Sequence, residues 1–131
     1  MLYNSKNHSK FILRYHIILV CKYRENLMIQ YGEFVKENML SISQKYDFTI
    51  LEIEVDKNHI HLLVESEPKI SPLMIVRVLK QQTTIRLWNK FSDKLSKYFW
   101  KERTFFTDGY FVSTIGEVST ETLRKYIQNQ G

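Results

Sequence analysis

The stretch "FTILEIEVDKNHIHLLVES", Phe48 to Ser66, decides the fold. Its first half sets Leu51, Ile53 and Val55 on one face against Glu52 and Glu54 on the other, the period of two that marks a half-buried strand. Its second half repeats the period with Ile60, Leu62 and Val64 opposite His59 and His61. The short "DKN" break between them predicts a β-hairpin.

Working outward, "FILRYHIILVC", Phe11 to Cys21, is rich in β-branched and aromatic residues and reads as a long central strand. Between Leu27 and Tyr46, apolar residues at Leu27, Tyr31, Phe34, Val35, Met39 and Ile42 recur at helical spacing and predict the first helix. Downstream of the hairpin, "SPLMIVRVLKQQTTIRLWNKF" opens with Ser71 as N-cap and Pro72 at the first helical position, the start of a second long helix. "DGYFVSTIG" then reads as a last strand, and "STETLRKYIQNQG" as a short final helix capped by Ser119 or Thr120. The order strand, helix, strand, strand, helix, strand, helix predicts an α+β fold. It is a ferredoxin-like antiparallel sheet with helices on one face and one extra helix at the C-terminus.

At 131 residues and 44% hydrophobic content, the chain suits one domain spanning residues 1–131. The formal net charge of +5 favours an anionic partner, nucleic acid above all. Cys21 is the sole cysteine, which excludes an intramolecular disulfide and suits a reducing cytoplasm. The polar start "MLYNSKNHSK" is neither a signal peptide nor a membrane span.

If the helices cover one face of the sheet, His59 and His61 fall on the other, with Leu63 beside them. Two imidazoles on one rigid face can chelate a divalent metal and leave positions for water or substrate oxygens. The same pair can equally be a strand contact and a solvent-facing side chain. On the final helix, Tyr126 and Gln130 are four residues apart and share a face. A tyrosine hydroxyl can act as a nucleophile and a glutamine oxygen as a metal ligand, although a tyrosine between Leu123 and Ile127 is more often a packing residue. A histidine-triad hydrolase would need a further alternating histidine, and position 63 is Leu63. A two-histidine phosphoesterase would need two His-x-Thr or His-x-Ser motifs, which the chain lacks.

"RYHIILVCKYR", "KNHIHLLVE", "LKQQTTIRLW", "DGYFVSTIG" and "LRKYIQNQ" span nearly the whole chain, and in this order they resemble the small single-tyrosine HUH transposases of insertion sequences, the TnpA type. The resemblance implies a DNA transposase that cleaves and rejoins single-stranded DNA at hairpin-marked element ends through a 5′-phosphotyrosine. Tyr126 would be its nucleophile. His59, His61 and Gln130 would be its metal ligands, with Mg²⁺ or Mn²⁺ as the ion. Two imidazoles and an amide oxygen suit Mn²⁺, Mg²⁺ is the more abundant, and zinc fits this donor set less well. It also implies a homodimer in which the tyrosine helix of one subunit serves the histidine pair of the other.

DNA contact is expected from Arg77, Lys80 and Arg86 on the second helix, and from Lys101 and Arg103 interleaved with Tyr98, Phe99, Trp100, Phe105 and Phe106. Lys22 and Arg24 at the end of the first strand form a second basic patch. The alternative is an inactive relative or a non-enzymatic, basic ferredoxin-like nucleic-acid-binding module, with Tyr15 as a possible stacking residue.

Overall fold

The structure, a computed structural model, describes residues 4–6, 9–11, 13–114 and 120–130, with side chains over 13–114 and 124–130. A short ribbon of β1 (Asn4–Lys6) and β2 (Ser9–Phe11) precedes β3 (Arg14–Val20) and a single 3-10 turn over Lys22–Arg24. Helix α1 (Met28–Ser43), the hairpin β4 (Phe48–Asp56) and β5 (His59–Ser66), helix α2 (Pro72–Leu95), β6 (Phe111–Thr114) and α3 (Thr120–Gln128) follow. The main sheet is antiparallel in the order β4-β5-β3-β6, the ferredoxin-like arrangement expected from the element order.

The local rules hold where they were clearest. Ser71 Oγ accepts from the Met74 amide at 3.1 Å with Pro72 at the first position, so α2 starts where the sequence places it. Asp56 pairs with His59 around a two-residue Lys57–Asn58 turn. Ile17 and Leu19 of β3, Cys21 just after it, and Ile60, Leu62 and Val64 of β5 pack under α1 and α2, against Tyr31, Val35, Met39, Ile75 and Leu79. Cys21 is a buried free thiol, and burial pushes its pKa up to about 12, which makes it inert.

Three boundaries differ from expectation. The first strand of the main sheet begins at Arg14, where the guanidinium Nε meets Glu65 at 2.8 Å, and the Leu13 carbonyl still accepts from the Ser66 amide at 2.9 Å; further upstream, Asn4–Lys6 and Ser9–Phe11 pair with each other as β1-β2. A register shift between Ile50 and Glu52 inserts one extra residue, so Ile50 and Ile53 face the core while Leu51 is 43% exposed, contrary to the simple alternation. The last strand starts at Phe111 and not at Asp108: the Gly109 carbonyl, with that of Thr107, accepts from the Lys80 ammonium, and residues 115 and 116 lie outside the described residues. Of the two capping candidates for α3, Thr120 is the first helical residue and Ser119 lies outside the described residues. No helix among the described residues is long and apolar enough to cross a membrane.

Candidate active site

On the sheet face away from α1 and α2, strand register lines up Glu54 (β4), His61 (β5), Ile18 (β3) and Phe111 (β6) in one row. Asp56, His59 and Val20 form the next row. Helix α3 lies over this face: its Arg124, Ile127 and Gln128 enclose, with Ile18, Glu54, His59 and His61, a pocket of about 350 Å³.

The two histidines of β5 are oriented by different partners. His59 Nδ1 lies 3.0 Å from Asn58 Oδ1. An Nδ1–H donated to that oxygen leaves the Nε2 lone pair available. His61 Nε2 lies 3.1 Å from Nδ1 of His16, the two rings stacked with centroids 5.3 Å apart and planes within 9°. His16 is on β3 opposite Leu63, one diagonal step from His61. With His61 as donor to His16, its Nδ1 keeps a lone pair. Burial lowers the pKa of both His59 and His61. For His59 the Asp56 carboxylate opposes the shift; for His61 the adjacent His16 reinforces it, and Glu54 and Glu52 oppose it. Both are therefore neutral at pH 7, the form that binds a metal.

Tyr126 and Gln130 are brought together, but elsewhere. The Tyr126 ring rests on Phe111 with centroids 5.6 Å apart. A Cβ built on Gly109 would lie 3.6 Å from the Tyr126 hydroxyl and 3.4 Å from Gln130 Oε1, ordinary contact distances, so both oxygens border the loop at Gly109. Phe111 belongs to β6, two strands from β5 and hence about 10 Å from the histidine strand. The cause is helical geometry: positions 124, 127 and 128 share the face over the histidines, while 126 and 130 face another way. The Tyr126 hydroxyl is shut off from solvent without a hydrogen-bond partner among the described residues, and burial raises its pKa to about 12. In this position it is a protonated, unreactive phenol.

The donor chemistry fits a divalent cation in part. Two neutral imidazoles share a pocket that also holds the Glu54 side chain, yet Gln130 is not among its lining residues. Among the described residues, no three His, Cys, Asp or Glu side chains converge as a metal site.

The basic residues divide into engaged and available. Lys80 Nζ donates to Thr107 O at 2.6 Å and to Gly109 O at 3.2 Å, and burial lowers its pKa, with Asp108 opposing. Arg86 donates to Asn38 Oδ1 at 3.0 Å and Ser41 Oγ at 3.3 Å, tying α2 to α1. Lys22 lies within 3.7 Å of Glu102 and 3.6 Å of Asp108. Arg77 and Arg103 line, with Lys80, a groove of about 650 Å³ between α2 and the loop before β6. Arg103 also stacks over Trp88 at 5.5 Å, and Lys101 over Trp100 at 5.0 Å. Arg24 is exposed. The sequence reading missed His16, Glu54 and Gly109. Strand parity in "YHIILV" could have found His16, because it alternates with the core residues Ile17 and Leu19.

Comparison with known proteins agrees with this architecture. The family model described as "Transposase IS200 like" matches residues 9–130. The transposase for insertion sequence element IS200 of Salmonella typhimurium is 32% identical over 126 residues, covering 94% of this chain and 80% of that protein. The ISDra2 transposase TnpA of Deinococcus radiodurans is 24% identical over 119 residues, covering 90% and 84%. A crystal structure from Deinococcus radiodurans described as a transposase superposes with a TM-score of 0.87 at 23% identity, covering 97% of each chain. A REP-associated tyrosine transposase bound to a REP hairpin superposes at 0.57 and 12% identity, covering 94% of this chain and 68% of that one. The chain belongs to the IS200-like transposase family.

Proposed function

We propose that this transposase cleaves and rejoins single-stranded DNA at hairpin-marked ends, with Tyr126 as the nucleophile. The observation that carries this reading is the presence, over one sheet face, of a neutral histidine pair and a helix bearing adjacent Tyr126 and Gln130 oxygens. Its fold neighbour held on a DNA hairpin supports the choice of substrate.

In the reaction, the Tyr126 oxygen loses its proton and forms a bond to phosphorus while the P–O3′ bond breaks. The 3′-oxygen takes up a proton and leaves as a hydroxyl. The 5′-phosphotyrosine conserves the bond energy, so a second 3′-hydroxyl can attack the same phosphorus, release Tyr126 and join a new strand without ATP. His59, His61 and Gln130 would hold Mg²⁺ or Mn²⁺, which when bound polarises a phosphate oxygen and favours the phenolate. The imidazoles, held by His16 and Asn58, orient the phosphate. Arg77, Arg103, Lys101, Lys22 and Arg24 supply cations for the backbone, whereas Lys80 and Arg86 act by bracing the surfaces around them.

The active form in this reading is a homodimer, which the resting place of Tyr126 on Phe111, away from the histidines of its own chain, supports. The helix of each subunit completes the site of the other, and two-fold symmetry produces two equivalent sites. We place this activity in the cytoplasm. A denaturing gel for a covalent protein–DNA adduct, run with single-stranded element ends and Mn²⁺, tests the proposal. An adduct that requires Tyr126 is expected; wild-type protein that binds and never links to the strand would leave only the DNA-binding alternative.

A further inference from the structure

We propose that the 3-10 turn after β3 and the loop after α2 together form a pocket that holds one unpaired DNA base. Two segments far apart in sequence meet there. Tyr23 comes from the turn, and Tyr98, Phe99, Trp100 and Lys101 from the loop, around a cavity of about 440 Å³. Phe99 is the buried floor, with its ring centroid 6.3 Å from those of both Tyr23 and Tyr98. The other rings face outward: Tyr23 is 61% exposed, Tyr98 44% and Trp100 76%.

Such a display is not a by-product of core packing, and the backbone is held in an unfavourable form to produce it. Tyr23 and Arg24 have φ of 59° and 52°, the sole non-glycine residues in the left-handed region among those described. That conformation is costly for side chains of this kind and persists where surrounding bonds over-determine it. Here the Lys22 amide donates to Phe105 O at 2.9 Å and the Arg24 amide to Cys21 O at 2.9 Å.

The occupant follows from the chemistry of the rim. A base has a π-face that any of these rings can stack on, and its phosphates need cations. Lys101 Nζ sits 5.0 Å over the Trp100 ring and Lys22 Nζ 5.8 Å from the Tyr23 ring, with Arg24 and Lys97 exposed beside them. Glu102 is the one acid in the lining. The position is informative too. Val20 pairs with His59, and Tyr23 is three positions after Val20, so the pocket lies within about 15 Å of the histidine strand. A base bound here belongs to the strand a few nucleotides from the cleaved phosphate, which sets where that strand enters the site. This rests on the single-stranded DNA reading above.

The test uses the full chain and two labelled probes, a short single-stranded oligonucleotide and a blunt duplex, with anisotropy reporting binding and tryptophan emission reporting the pocket. Trp100 is exposed and Trp88 only 5%, so quenching assigns to Trp100, and Trp100→Phe should abolish it. The expected result is quenching by the single strand and not by the duplex. Single-strand affinity should fall about ten-fold in Trp100→Ala and again in Tyr23→Gly, the size of one lost stacking contact. Tyr23→Gly suits the left-handed backbone, so its loss cannot be put down to misfolding. Single-strand binding with unchanged emission and wild-type affinity in both variants would overturn the pocket and leave the transposase reading standing. Failure to bind the single strand at all would remove both. Emission that shifts with protein concentration in the absence of DNA would show that a second copy covers the rings, and would also overturn the proposal.

Discussion

Replacing Tyr126 with Phe should move chemistry and stability in opposite directions. The hydroxyl is buried beside Gly109 and has no hydrogen-bond partner among the described residues, so the folded chain forgoes its solvation there. An unsatisfied buried hydroxyl costs about 1–3 kcal/mol. The ring keeps its contact with Phe111 when the oxygen is removed. At the low end of that range, a gain of about 1 kcal/mol corresponds to a Tm rise of about 3–5 °C for a chain of this size. The gain should depend on pH in a defined direction. An unfolded tyrosine ionises near 10, whereas Tyr126 in place holds its proton up to about 12. The folded state therefore binds the proton more tightly, and the wild-type contribution present below pH 10 is lost as pH rises through about 12. Tyr126→Phe escapes that loss, so its advantage should widen over the window. Differential scanning calorimetry of both proteins across neutral to alkaline pH measures this, and the adduct gel should show no covalent product for the variant. A lower Tm in the variant would mean the hydroxyl has a partner, and an adduct at wild-type level would remove Tyr126 as nucleophile.

His59→Ala or His61→Ala should lose Mn²⁺-dependent adduct by at least about a hundred-fold while keeping the circular dichroism of the fold, since both face away from the helical core. Gln130→Ala should lose less, because a neutral amide oxygen is a weaker donor; a loss equal to that of the histidine variants would contradict that ranking. His16→Phe keeps a ring stacked on His61 and removes the nitrogen contact, so Mn²⁺ affinity by calorimetry should fall about 10–100-fold, with recovery in His16→Asn. Tyr126→Phe chains mixed and exchanged with His59→Ala/His61→Ala chains should regain cleavage, because a mixed dimer contains one intact site; silence after verified exchange would place the site within one chain.

Much of this protein was legible in its sequence because the deciding signals are local. Period-two alternation in Phe48–Ser66 placed both histidines on one face and their aliphatic neighbours in the core, and a Ser-Pro pair marked the start of α2. The spacing of Tyr126 and Gln130 put their oxygens side by side, and the ordered motifs carried the resemblance to the family. What tertiary structure alone decided are relations between distant segments. The His16–His61 contact is a diagonal across two strands 45 residues apart, and nothing near either residue encodes that register. The extra residue at Leu51 is set by pairing with β5, not by hydrophobicity. Lys80 and Arg86 read as free cations in the sequence, yet the carbonyls and amide that engage them come from other elements. The rotation of α3 is the largest such decision. Helical periodicity dictates that Tyr126 and Gln130 move together, but only docking against Ile18, His61 and Phe111 selects which face meets the histidines, because that choice depends on packing across the whole sheet.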